Sequence, residues 1–203
     1  MSRAILGKRK SVSASHHVLF HKPYGVLSKF TDADDRPTLA AYVKVPDVYP
    51  AGRLDMDSEG LLFLTSDGDL AARLTSPSYK VPKTYLVQVE RVPDTAALEQ
   101  LRSGVLVKGR RTRPAKVNLL LEEPDVHPRT VPIRFRKSVP TAWLRIEISE
   151  GMNRQIRRMT AQVGYPTLRV IRIAIGAIQL GDLAPGEWRI PNDGEVLGLL
   201  NSK

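Results

Sequence analysis

Residues 61–65 (LLFLT) form an unbroken apolar run, bounded by Gly60 on one side and Ser66-Asp67-Gly68 on the other. A run this short, stopped at both ends, suits a strand buried on both faces. Residues 84–90 (TYLVQVE) and 142–149 (AWLRIEIS) alternate apolar and polar, which predicts half-buried strands. Residues 17–20, 168–175 and 187–190 add three more strands. Helices fall irregularly between them. Residues 67–74 place Leu70, Ala71 and Leu74 on one face, with Pro77 beyond the end. Residues 94–102 begin at an Asp94 N-cap, carry the stripe Ala97, Leu98 and Leu101, and stop at Gly104. Residues 153–163 are helical and are closed by Gly164 and Pro166. Strands with irregularly placed helices predict an α+β fold rather than a repeated β–α–β winding. Pro124, Pro128, Pro132 and Pro140 mark a long loop or a lobe junction.

The 203 residues suffice for one medium domain or two small lobes sharing a core. With no cysteine, disulfides, thiolate nucleophiles and iron–sulfur clusters are excluded. No apolar run approaches the ~20 residues of a membrane span. The formal net charge of +10 favours an anionic partner, most often nucleic acid. That charge is uneven. Residues 31–70 hold nine acids against three bases, whereas residues 102–116 hold six bases and no acid. The pattern describes a polyanion-binding surface with a carboxylate site set into it. Residues 1–15 are basic and Ser-rich, and read as a disordered arm that pairs with phosphates. A mitochondrial presequence has a similar composition and is the lesser reading. A folded domain over residues 16–195 and a short tail over 196–203 complete the expected organisation.

The acidic turn is the segment Ala51-Gly52-Arg53-Leu54-Asp55-Met56-Asp57-Ser58-Glu59-Gly60. Three carboxylates before a Gly resemble the opening of a calcium loop, but the twelfth residue from Asp55 is Ser66 rather than Glu. If the segment is extended, Asp55 and Asp57 share a face roughly 7 Å apart, near the spacing of two-carboxylate hydrolases. The plain alternative is a polar turn whose acids pair with Arg53. An arginine close to Asp55 favours its ionised form, and an ionised carboxylate is suited to nucleophilic attack.

Four motifs in order then carry a resemblance. GRLDMDSEGLLFLTSDGDLAARL resembles the central motif of the RsuA/RluB/RluE/RluF family of pseudouridine synthases. HKPYGVLS resembles that family's early Lys-Pro-x-Gly motif, and KTYLVQVE its tyrosine-bearing segment. EGMNRQIRRMTAQVGYPTLRVIRIAIG resembles its late arginine motif, and the ending LAPGEWR is similar as well. The similarity runs from about His17 to Arg189. Several members begin with an S4 RNA-binding domain of about 60 residues. Here some 16 residues precede the first strand, so the chain is expected to lack that domain and to resemble the RluE-type branch.

The resemblance implies a mixed or mainly antiparallel central sheet flanked by helices, with two lobes around a cleft. It implies that a uridine of RNA, 23S ribosomal RNA for this branch, is flipped out and isomerised to pseudouridine. Asp55 would be the nucleophile at C1′ or C6, or would promote an elimination. Tyr85 would supply the face for the base, with Leu86 nearby, and Arg157 would support Asp55. Arg154 and Arg158 would meet phosphates, or one of them would replace Arg157. Arg53 would fill the space left by the base or clamp a phosphate. Lys22, Lys83, Arg110, Arg111 and Arg113 would contact the RNA backbone. Isomerisation requires no cofactor or metal, and His16, His17, His21 and His127 read as surface or RNA-facing residues. The expected protein is a monomer with no obligate protein partner. The other readings are a synthase acting on 16S ribosomal RNA or tRNA, a non-catalytic ribosomal-RNA-binding protein, and a uracil-releasing hydrolase using Asp55 and Asp57.

Overall fold

A computed structural model describes residues 15–133, 136 and 138–201. The predicted arm, apart from the exposed Ser15, lies outside the described residues. Strand β1 spans His17–Lys22, β2 Tyr49–Pro50 and β3 Glu59–Thr65, followed by helix α1, Gly68–Thr75. Strand β4 (Lys83–Glu90) leads into α2 (Thr95–Ser103), then the short strands β5 (Leu106–Val107) and β6 (Arg110–Arg111). Next come β7 (Lys116–Leu119), β8 (Thr141–Ile148) and α3 (Gln155–Gln162). The chain closes with β9 (Thr167–Ile175), β10 (Ile178–Gln179), β11 (Trp188–Arg189) and α4 (Asp193–Asn201).

A nine-stranded mixed sheet runs in the order β11-β1-β3-β9-β4-β8-β7, with β2 on β3 and β10 on β9. Its ladders are antiparallel except that between β3 and β9. That parallel contact is two pairs long, Glu59 with Ile171 and Gly60 with Arg172. The sheet is therefore two antiparallel halves joined at one point, as expected for lobes around a cleft. Gly60 makes the join possible. Its φ is +101°, and a Cβ there would lie 2.3 Å from the Arg172 carbonyl oxygen and 2.6 Å from its amide nitrogen.

Strand β3 is buried along its whole length. Leu62 and Leu64 pack with Val18, Phe20 and Leu39, while Leu61 and Phe63 pack on the other face with Leu70, Leu74, Ile171 and Ile175. In the second half, β4 and β8 present Val87, Val89, Leu144 and Ile146 to Leu98 and Leu101 of α2 and to Ile156 and Met159 of α3. The helix starts follow local chemistry. Asp67 accepts from the amides of Asp69 and Leu70, and Asp94 accepts from that of Ala97.

Three expectations change. Helix α3 starts at Gln155, two residues later than predicted, because Arg154 takes a left-handed conformation with φ +53°. The expected tail is a helix, α4, running to Asn201, with Leu199 fully buried. Its cause is a capping box that the sequence reading missed: Glu195 donates its amide to the Asn192 side chain, and the Glu195 carboxylate accepts from the Asn192 amide. Arg189 then grips Glu195 with two hydrogen bonds of 2.6 and 2.8 Å. Lastly, the strand predicted over residues 187–190 shortens to β11. The described residues of the Pro-rich segment form a loop that crosses back to the join, where Arg129 stacks on Tyr24 at 4.0 Å. Among the described residues no helix is long and apolar enough to cross a membrane.

Gly60→Ala must separate β3 from β9 or distort both. It should lower stability by about 3 kcal/mol or more. Urea unfolding of the variant checks this, and an unchanged midpoint would mean the strands do not approach so closely.

Candidate active site

The acidic segment is a turn, not a strand. The Ser58 amide donates to the Asp55 carbonyl at 3.0 Å, so Asp55 and Asp57 are brought around a corner rather than spaced along an extended chain. The turn is pinned from behind by the segment after β1. Gly25 donates its amide to the Met56 carbonyl, and the Ser28 hydroxyl both donates to the Leu54 carbonyl and accepts from its amide. Lys22 lies under the turn with 0% exposure, its ammonium donating to the carbonyls of Pro23 and Val26 at 2.9 and 2.7 Å. Burial lowers its pKa to about 8, against the pull of Glu59, Asp57 and Asp55, with Arg172 adding to the lowering. Lys22 is thus an internal countercharge of the acidic turn, which corrects its assignment as an RNA contact.

Two arginines meet the turn from the front. Arg154 forms a two-pronged bond to Asp57, at 2.9 and 2.8 Å, and its Nη1 lies 3.9 Å from Asp55 Oδ2. Arg157 donates to the Asp57 carbonyl at 2.7 Å, and its Nε lies 3.3 Å from Asp57 Oδ2. The expected Arg157–Asp55 pair is therefore replaced. Arg157 braces Asp57, and Arg154 is the arginine beside Asp55. The left-handed turn at Arg154 explains the exchange, since it swings that side chain off the helical face it would otherwise share with Arg157 and Arg158. Burial pushes the Asp57 carboxyl up, but the hydrogen bond from Arg154 and the charges of Arg157 and Arg154 outweigh it, leaving Asp57 below the usual carboxylate range.

Asp55, with its side chain 34% exposed, stands at the rim of a cavity of about 440 Å³ lined also by Arg53, Leu54, Tyr85, Ile148 and Val170. Tyr85 is 9% exposed and opposite Arg172 across the β4–β9 ladder. Leu86, the neighbour expected beside it, packs into the core on the other sheet face. Lys83 lines the cavity as well, with its ammonium 3.1 Å from the Leu74 carbonyl, so it faces the cavity interior rather than an open RNA surface. Burial, reinforced by Arg172, lowers its pKa to about 8.

The remaining basic residues divide. Arg53, Arg110 and Arg111 are exposed; Arg53 is at the cavity and the other two are on the β5–β6 hairpin. Arg113 is turned inward to the carbonyls of Pro77 and Ser149, and Arg158 closes onto the Asn153 side chain at 2.8 Å. His21 is buried and bonded to the Leu183 carbonyl, and His17 is half-buried against the Thr65 hydroxyl, which corrects their placement on the surface. The sequence reading missed Glu150, a buried carboxylate that accepts from Gln155 at 2.7 Å and from the Arg113 amide at 2.8 Å. It also missed the burial of Arg169 and Arg172. The signal for both was a charged residue interrupting an otherwise apolar strand.

Above pH 8 the folded chain releases the Lys22 proton, while the unfolded chain keeps it to about 10.5. The unfolded state then binds more protons, so stability rises with pH across this window, by about 3 kcal/mol at most from this one group. Urea titrations from pH 7.5 to 10.5 should show a rise in the wild type to which Lys83 adds a like contribution, and Lys22→Met should roughly halve it. An equal rise in both proteins would remove Lys22 as the source.

The sequence profile of the RNA pseudouridylate synthase family matches residues 16–162. A ribosomal large subunit pseudouridine synthase E of Xanthomonas campestris is 58% identical over 175 residues, covering 85% of this chain and 94% of the relative. Its namesake in Vibrio parahaemolyticus is 56% identical over 172 residues, covering 85% of this chain and 72% of the relative. A crystal structure of a pseudouridylate synthase superposes with a TM-score of 0.77 at 29% identity, covering 93% of this chain and 75% of that one. The chain belongs to the RNA pseudouridylate synthase family.

Proposed function

We propose that this synthase converts one uridine of 23S ribosomal RNA to pseudouridine, with Asp55 as nucleophile on a flipped-out base. The observation that carries the reading is the carboxylate of Asp55 at the rim of a cavity that has Tyr85 on its wall and Arg154 at 3.9 Å. The two relatives above, both named for the large ribosomal subunit, support the choice of RNA.

A uridine stacked in RNA cannot reach Asp55, so the base must swing out, and the cavity is large enough to receive it. Tyr85 offers the base an aromatic face. Arg154 and Arg157 share Asp57 between them and so hold the turn without chelating Asp55, whose carboxylate stays free to attack. The exposed Arg53, Arg110 and Arg111 are the candidates for phosphate contact, where they position RNA without reading its sequence. On this reading the enzyme works as a monomer in the bacterial cytoplasm, and the isomerisation needs no redox partner or group donor.

Asp55→Asn should abolish pseudouridine formation in 23S ribosomal RNA, read by mass spectrometry with a pseudouridine-selective adduct, while RNA affinity stays within a few-fold. A variant that still modifies RNA would rule out Asp55 as nucleophile, and free uracil with an abasic site would replace isomerase by hydrolase. Contact with about five phosphates gives a log–log slope of affinity against salt near −3 to −5. A slope close to zero would remove the basic surface from the account.

A further inference from the structure

Two cations in the cavity have no part in the mechanism so far. Lys83 and Tyr85 stand two residues apart on β4 and so face the same side. On β9 the pairing jumps from Ala174 opposite Thr84 to Arg172 opposite Tyr85, leaving Ile173 as an extra residue. That bulge reverses the alternation of β9. Without it Ile173 would follow Ile175 into the cavity; with it, Arg172 does.

Arg172 is 4% exposed. Its Nε donates to the Leu61 carbonyl at 2.7 Å, and its buried Nη2 has no hydrogen-bond partner. The Lys83 ammonium has the Leu74 carbonyl, and the charge acting on it is that of Arg172, also positive. Two like charges buried together are costly unless an anion or strong acceptor is supplied. The cavity supplies the geometry for one. Asp55 is partly exposed, whereas Tyr85 and Arg172, which line the same cavity, are buried. A nucleotide with its ribose at Asp55 and its base on Tyr85 brings its base into the cavity that Lys83 and Arg172 also line, with Arg172 opposite Tyr85 on the neighbouring strand.

We infer that Lys83 and Arg172 bind the carbonyl oxygens of the flipped uracil and stabilise the negative charge that forms on it during the reaction. This rests on the synthase reading above. If Asp55 attacks C1′, its oxygen bonds to C1′ as the C1′–N1 bond breaks, and the electron pair leaves with the uracil, spread over N1, O2 and O4. Elimination gives the same anion. Attack at C6 sends the C5=C6 pair toward O4. Rejoining forms C5–C1′ as the Asp55–C1′ bond breaks; in the C6 route N1–C1′ breaks as C5–C1′ forms and Asp55 then leaves C6, and in the elimination route the ribose regains its proton. The C5 hydrogen leaves as a proton and N1 gains one, so Asp55 is regenerated and the net change is an isomerisation. In every route charge gathers on oxygens that the two cations face, and donors already in place there need no reorganisation.

The test compares single-turnover rates of N1–C1′ bond cleavage, a step that precedes loss of the C5 hydrogen and so is open to both bases, on large-subunit ribosomal RNA transcripts containing either uridine or 5-fluorouridine. Fluorine withdraws electrons, so the base carries negative charge with less help. Lys83→Met should slow the uridine transcript about 100-fold with RNA affinity within a few-fold. The deficit should shrink at least about 10-fold on the fluorinated transcript, and Lys83→Arg should recover most of the rate. Equal deficits on both transcripts, no deficit, or an arginine variant no better than methionine would each overturn the inference. A wild type inactive on both transcripts would instead strike the synthase reading itself.

Discussion

The structure depends on how β3 and β9 meet. Two residue pairs connect the halves of a nine-stranded sheet, and Asp55, Asp57 and Arg172 lie in or within four residues of them. Beside the Gly60 contact, Glu59 and Arg169 form a buried two-pronged ion pair at 2.8 and 2.7 Å. Such a pair adds little net stability, because desolvation offsets the attraction, but breaking one leaves a buried unpaired charge at about 3–5 kcal/mol. A slip of one residue at the join would turn Glu59 and Arg169 to opposite faces. The pair therefore selects this register, and Arg169 also holds the long loop through the His127 carbonyl at 2.8 Å.

Register at the join then sets the chemistry. Asp55 precedes Glu59 by four residues, so fixing β3 delivers the acidic turn to the rim of the cavity. The turn itself carries two carboxylates and answers to three cations, Lys22 from behind and Arg154 and Arg157 from the front. The hydrogen bonds of the two arginines to the turn go to Asp57. This division separates two demands that one carboxylate would meet poorly. A group locked by two arginines is well placed but a weak nucleophile, whereas Asp57 takes the structural bonds and leaves Asp55 with one long ion-pair contact, to Arg154 at 3.9 Å.

Most of the fold was legible because its signals are local. The apolar run of β3, the alternation of β4 and β8, and the cap Asp94 each state their structure within ten residues. The acidic turn and Tyr85 were legible as a resemblance of ordered motifs. What the sequence hid is non-local or depends on one dihedral angle. A left-handed φ at Arg154 reassigns which arginine meets which aspartate. Lys22, in an otherwise ordinary basic motif, becomes internal because the acidic turn folds over it from thirty residues away. The capping box of α4 was local, and only its polar spelling beside a chain end made it look like a tail.

The same distinction revises what the charge of +10 means. Read along the chain, each lysine and arginine is a candidate for phosphate. In the folded protein Lys22, Arg169 and Arg172 are buried and Arg157 is largely covered, so they act on the enzyme's own carboxylates, carbonyls and cavity. Screening by salt weakens exposed pairs and leaves buried ones nearly untouched. Net charge thus overstates the RNA-binding surface and understates the electrostatic field inside the cavity. Cations that cannot reach a phosphate are the ones able to act on a base.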